Sequence, residues 1–245
     1  MSPGRTWATA LRVLTQLRRD PRTIALILLV PALLVTILHY VFEGRPAVFD
    51  RIGGPMLGLF PFVSMFVVTS VTMLRERVTG TLERLMTTPL AKLDLLLGYA
   101  IAFAALAAVQ ASFVSAVAIL GLDLDLAGSP GAVVGLAIGN ALLGMSLGLF
   151  ASAFARTEFQ AVQFLPALVL PQILLCGLFV QRDEMAGWLE GISAALPLTY
   201  SYDALARVTG GDPLTGRFAL DVGVTVGATL LALALGAATL RRRTP

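Results

Sequence analysis

Chemistry needs ionisable or nucleophilic side chains, and in this 245-residue sequence they are scarce in the apolar runs and gathered between them. The longest charged stretch between apolar runs before the last quarter of the chain is Arg75–Asp94, RERVTGTLERLMTTPLAKLD. On a wheel turning about 100° per residue, Val78, Leu82, Leu85 and Met86 share one face, and Glu76, Gly80, Glu83 and Arg84 share the opposite one. The spacing predicts a short amphipathic helix that rests its apolar face on neighbouring helices and holds its charges out to another protein. That is a docking handle, not a catalyst, and an ordinary charged loop is the competing reading of the same pattern. Pro89 ends the pattern, because it lacks an N–H and pushes Thr88 out of helical geometry.

The remaining reactive groups are isolated. Cys176 is the only cysteine and sits in an apolar run, which excludes an intrachain disulfide and a cysteine-based metal cluster and leaves packing. His39 is the only histidine and falls near the end of an apolar run, where an interfacial residue is expected more than a proton relay. The sequence has no Gly-Lys pair, hence no P-loop of the GxxxxGK[ST] type, so ATP chemistry would have to come from a separate chain. No metal site and no catalytic residue is expected here.

The elements that position these groups are membrane spans. The chain is 57% hydrophobic and 13% charged, with a mean hydropathy of +0.83. Soluble domains carry about 25% charged residues, so the composition marks an integral membrane protein. At about 20 apolar residues per span, six are predicted near 23–42, 55–74, 95–120, 131–155, 161–180 and 219–240. The fold class is all-α and polytopic, with the whole of 1–245 as one transmembrane domain. An even number of spans puts both termini on one side. With that side cytoplasmic, thirteen of the eighteen Lys and Arg residues are cytoplasmic, as the positive-inside rule asks. The arginines are scattered like topology signals and not clustered into a nucleic-acid face, so nucleic acid is set aside as a partner.

Before the first span, residues 5–22 read as an interfacial helix against membrane lipid. Trp7, Ala10, Leu11 and Leu14 fall on one side, Arg5, Arg12, Gln16 and Arg19 on the other, and Arg18 breaks the pattern at an expected bend. No small-residue cleavage site follows the first apolar run, which is therefore read as a retained span. Within the spans, the glycine pairs 135/139, 144/148 and 223/227 have the spacing that lets helices approach closely in lipid. Pro31, Pro61, Pro166 and Pro171 favour kinks. Phe62, Met65 and Phe66 of the second span and Gln163, Phe164 and Gln172 of the fifth are the candidate lining of a substrate path, with a kinked packing helix as the alternative for the fifth. The clear cores of the spans lack Asp, Glu, Lys, Arg and His, the relays an ion-coupled pump would use. In the long outer segment 181–218, Met185, Trp188, Leu189, Ile192, Ala195 and Leu196 form the apolar side of a short helix with Glu190 and Ser193 opposite. Pro197 breaks it, and a second helix can follow. A helix pair dipping into the outer leaflet is expected, a plain outer loop being the alternative.

The run ERVTGTLERLMTTPL at Glu76–Leu90 resembles the signature after the second span in ABC-2-type exporter permeases, and LPLTYSYDALARVTGG at Leu196–Gly211 resembles their segment before the last span. The six-span plan, the basic amphipathic N-terminus and the missing P-loop agree, and the drug-efflux, daunorubicin-resistance-like branch is most similar. The resemblance implies a permease half-transporter of the bacterial inner membrane, working as a homodimer or with a related permease on two cytosolic ATPase subunits that hold ATP and Mg. It implies no cofactor on this chain. It makes the stretch containing Arg75, Glu76, Gly80, Thr81, Glu83 and Arg84 the coupling helix seated in the ATPase, and 185–208 the re-entrant pair. A hydrophobic or amphipathic cargo such as a drug or lipid is expected. The competing classes are an ion-coupled secondary transporter and a membrane scaffold or immunity factor.

Overall fold

The computed structural model describes residues 2–80 and 92–239. Among them there is no strand. Helix α1 (Pro3–Arg18) is followed by α2 (Pro21–Val41), α3 (Pro46–Val78), α4 (Lys92–Ala116), α5 (Pro130–Ala151), α6 (Glu158–Phe164), α7 (Leu170–Leu175), α8 (Gly187–Ala195), α9 (Pro197–Thr209) and α10 (Gly216–Thr239). Among the described residues six helical stretches are long and apolar enough to cross a membrane: Pro21–Val41, Pro46–Val78, Asp94–Gly121, Pro130–Ala151, Glu158–Leu175 and Gly216–Thr239.

Local chemistry sets their limits. Proline occupies the first turn of α1, α2, α3, α5 and α9, where no intrahelical donor is needed. Asp20 caps α2 by accepting from the Thr23 amide and hydroxyl. The bend expected at Arg18 therefore falls at Arg19–Asp20. The second span is longer than expected and starts at Pro46, because Pro55 and Pro61 are accommodated inside one helix. The fifth span ends at Leu175 instead of reaching 180. It passes through a π-helical turn at Leu165–Val169, where Pro166 cannot donate in the α ladder.

The centre of the bundle is the crossing of α3 with α5. A Cβ on Gly144 would lie 2.8 Å from the carbonyl carbon of Phe62 and closer still to its oxygen, so only glycine permits this approach. Gly148 meets Phe66 and Thr69 in the same way, and Thr69 Oγ1 donates across the seam to the Met145 carbonyl at 3.1 Å. Gly135, Gly139, Gly223 and Gly227 have open space around them, so two of the three predicted pairs face no helix of this chain. Around the seam, Phe62, Met65, Phe66, Tyr99 and Phe103 are fully buried.

Candidate functional site

The charged residues collect at the two ends of the bundle. At the end where α3 stops and α4 starts, Gly80 follows the last turn of α3 with φ +72, a left-handed conformation that glycine adopts without steric cost. Arg75 and Glu76 thus belong to the last turns of the second span and not to a separate amphipathic helix. Thr81, Glu83 and Arg84 lie outside the described residues.

The orientation of the described part is the reverse of the expected one. Glu76 turns toward the bundle, 3.8 Å from the Arg12 guanidinium, while Val78 is 68% exposed. Arg12, expected among headgroups, also turns inward: it donates from Nη2 to the Tyr99 hydroxyl and lies over the Tyr99 ring. Gly98 makes this possible, because a Cβ there would lie 2.5 Å from Thr9 Cβ and 2.9 Å from the Thr6 carbonyl oxygen. Asp94, buried at the start of α4, accepts from the Ser2 amide at 3.1 Å and the Thr6 hydroxyl at 3.4 Å. The exposed flank of α1 carries Trp7 and Leu11, as expected for lipid contact. On the other side of α3, Arg75 binds Glu158 through two parallel bonds of 2.7 and 2.9 Å. The end of α3 is thereby fastened to α1 by Glu76 and to α6 by Arg75.

At the opposite end a cleft of about 860 Å³ opens between α3, α9 and the segment after α7. Asp203 of α9 pairs with Arg182 at 3.4 Å and with Arg217 at 3.9 Å, and Arg217 pairs with the fully buried Asp221 of α10 at 3.3 Å. Burial raises the Asp203 carboxyl above its ordinary value of 3.8, outweighing the two arginines that favour its charge. The α8–α9 turn is fixed by Ser193 donating to the Leu175 carbonyl, Thr199 to the Ser193 carbonyl and Tyr200 to the Ala194 carbonyl. Ser193, predicted opposite the apolar side of α8, is fully buried, and Trp188 on that apolar side is 69% exposed along with Ile192. The apolar face of α8 points away from this chain.

Of the residues expected to line a path, Phe62, Met65 and Phe66 are sealed in the core. Gln172 is nearly buried and donates to the Leu168 carbonyl at 2.9 Å. Gln163 and Phe164 line a shallow pocket with Phe154, Arg156 and Gln160. The other flank of α3 instead forms one wall of an apolar groove of about 500 Å³, with Phe60, Val63, Ser64 and Val67 facing Ile27, Val30, Pro31 and Leu34 of α2. Gln110 stands behind it, donating to the Ile27 carbonyl and to Ser64. The sequence clue to these residues was polarity inside an apolar span, which marked Gln110 no more than Ser115 or Asn140. Asp94 and Glu158 gave no sequence clue to their partners.

Residues 5–208 match the model of the ABC-2 type transporter family. ABC transporter G family member 20 of Dictyostelium discoideum is 27% identical over 159 residues, which is 65% of this chain and 22% of that protein. The probable multidrug ABC transporter permeases YbhR and YbhS of Escherichia coli (strain K12) are 26% identical over 153 residues and 28% over 168. Those alignments cover 62% and 68% of this chain and 42% of each permease, so the chain matches less than half the length of these relatives.

Proposed function

This chain belongs to the ABC-2 type transporter family, a multi-pass membrane family, and from that premise we propose that it is the permease subunit of an exporter driven by a separate cytosolic ATPase. The observation that carries the coupling is the fastening of α3 beside residues 81–91. With Glu76 held to α1 and Arg75 to α6, a force applied at residues 81–91 is passed to three helices at once. ATP binding on the partner would shift the bundle between accepting and releasing states only by contacting those states differently. Thr81, Glu83 and Arg84 would supply the docking face, and Glu76 the anchor behind it.

Both termini and residues 79–91 are taken as cytoplasmic, which puts the Asp203 cluster and the α8–α9 pair on the outer side. Trp188 and Ile192 then face the outer leaflet, as a re-entrant pair would. Hydrophobic or amphipathic molecules suit the α2–α3 groove, whose lining is apolar but for Thr23 and Ser64. The likeness to the two Escherichia coli relatives, probable multidrug permeases, supports a drug-like cargo. Two copies, or one copy and a related permease, would complete the pathway on two ATPase subunits.

Purification from the native membrane tests the assignment. A P-loop ATPase in equal stoichiometry with the chain is expected, and the chain alone is expected to hydrolyse no ATP. ATP turnover by the isolated chain, free of contaminating ATPase, would overturn it.

A further inference from the structure

Pro31 lies inside α2, and its nitrogen carries no hydrogen. The carbonyl of Ile27, one turn earlier, therefore has no donor at the position where an α-helix provides one. Within a bilayer such a group cannot turn to water and must find a partner in the protein. Gln110 of α4, fully buried, donates from Nε2 to that carbonyl at 2.7 Å. The same nitrogen donates to Ser64 Oγ of α3 at 2.8 Å. One carboxamide thus joins three spans at the depth of Pro31. Ile27, Pro31 and Ser64 also line the apolar groove between α2 and α3.

We infer that Gln110 is the positioning residue of this groove: it supplies the hydrogen bond that Pro31 cannot make, holds α2 at one bend angle, and so sets the separation of α2 from α3. A proline kink with its carbonyl unserved has several arrangements open to it, each recruiting a different donor. A kink served from a neighbouring helix has one. The placement gives the amide nitrogen two partners in an apolar span, where without them its burial would be costly, while Oε1 is buried with no partner among the described residues. Leucine at 110 would fill the same space and leave both the Ile27 carbonyl and the Ser64 hydroxyl without their partner. The bearing of the groove on transport rests on the exporter assignment, whereas the bend and its partner do not.

The test uses the full chain with Cys176→Ala, purified in detergent, and spin-label pairs across the groove at Leu26→Cys with Val68→Cys and at Leu34→Cys with Phe60→Cys. Gln110→Leu is expected to shift or broaden at least one of the two distance distributions and to lower the melting temperature. Pro31→Ala returns an N–H to the Ile27 carbonyl within α2. It should therefore cancel at least half of the loss caused by Gln110→Leu, while cancelling none of the loss caused by Ser64→Ala. If Gln110→Leu does not fold, Gln110→Asn, which is polar but one methylene too short, takes its place with the same expectations. Unchanged distance distributions, or an equal loss with and without Pro31→Ala, would overturn the inference. No ATPase or transport enters the measurement, so its failure and the failure of the exporter assignment are told apart.

Discussion

Gly139 and Gly144 stand on the same helix, and the same substitution at each is expected to have opposite effects. At Gly144 an added Cβ would sit 2.8 Å from the Phe62 carbonyl carbon and 2.9 Å from its Cα, where carbon atoms ordinarily approach to about 3.5–4.0 Å. Those neighbours are backbone inside α3, so relief requires α3 and α5 to separate by about 1 Å. A gap of that size forfeits about a quarter to a half of each dispersion contact at about 0.1–0.2 kcal/mol apiece. Over a seam of some tens of atom pairs the loss is about 2 kcal/mol, on the order of the cost of overpacking a core. The Thr69–Met145 bond, already 3.1 Å long, would stretch out of range and add about 0.6 kcal/mol, a typical value for a bond between membrane helices. Alanine returns up to about 1 kcal/mol in helix propensity. The net expectation for Gly144→Ala is destabilisation by about 2 kcal/mol, roughly a thirtyfold change in the folding equilibrium. For Gly139→Ala, which meets nothing within 4 Å, it is a change between zero and about 1 kcal/mol of stabilisation. Denaturant titration of the detergent-solubilised chain, followed by circular dichroism, reads both. Equal effects of the two substitutions would refute the close approach of α3 and α5.

Three further outcomes follow from the charged ends. Arg12→Gln leaves Glu76 short of its partner. A pair 3.8 Å apart is worth about 4 kcal/mol at an effective dielectric of 20, and partial exposure of Arg12 reduces this to about 2 kcal/mol. Arg12→Glu combined with Glu76→Arg should recover at least half of the loss in a thermal melt, and no recovery would separate the two residues. Because the folded Asp203 carboxyl binds its proton more tightly than the unfolded one, stability should rise as pH falls through its raised folded value toward 3.8; Asp203→Asn should abolish that part of the pH profile, and an unchanged profile would count against the buried placement. In intact cells carrying Cys176→Ala, Glu190→Cys should react with an impermeant thiol reagent and Glu83→Cys should not. The reverse pattern would invert the topology.

The span plan was legible because a bilayer demands long apolar helices and little else competes with that signal. Helix facing was less legible. The wheel put Arg12 with the headgroups and Glu76 with a partner protein, because it weighs each side chain against solvent and cannot see Tyr99, 87 residues from Arg12, waiting in α4. The glycine pairs show the same limit: 144/148 and 135/139 have one spacing, and only the position of α3 decides which is a seam. Phe62, Met65 and Phe66, expected along a path, are buried toward the α5 seam and do not line the groove, and periodicity could not choose between two apolar faces of α3. Pro31 marked a missing donor in α2, while the group that serves the Ile27 carbonyl comes from Gln110, 83 residues away. Contacts of that range are set by how the spans cross.

The most direct test is ATP-driven efflux from vesicles holding the chain and its co-purified ATPase, loaded with a lipophilic cationic dye, comparing the wild type with Glu83→Lys. ATP-dependent dye loss is expected with the wild type, and none with Glu83→Lys even though that variant folds and melts normally. Dye loss that persists when the ATPase is inactivated, or an unimpaired Glu83→Lys variant, would contradict a permease coupled through residues 79–91.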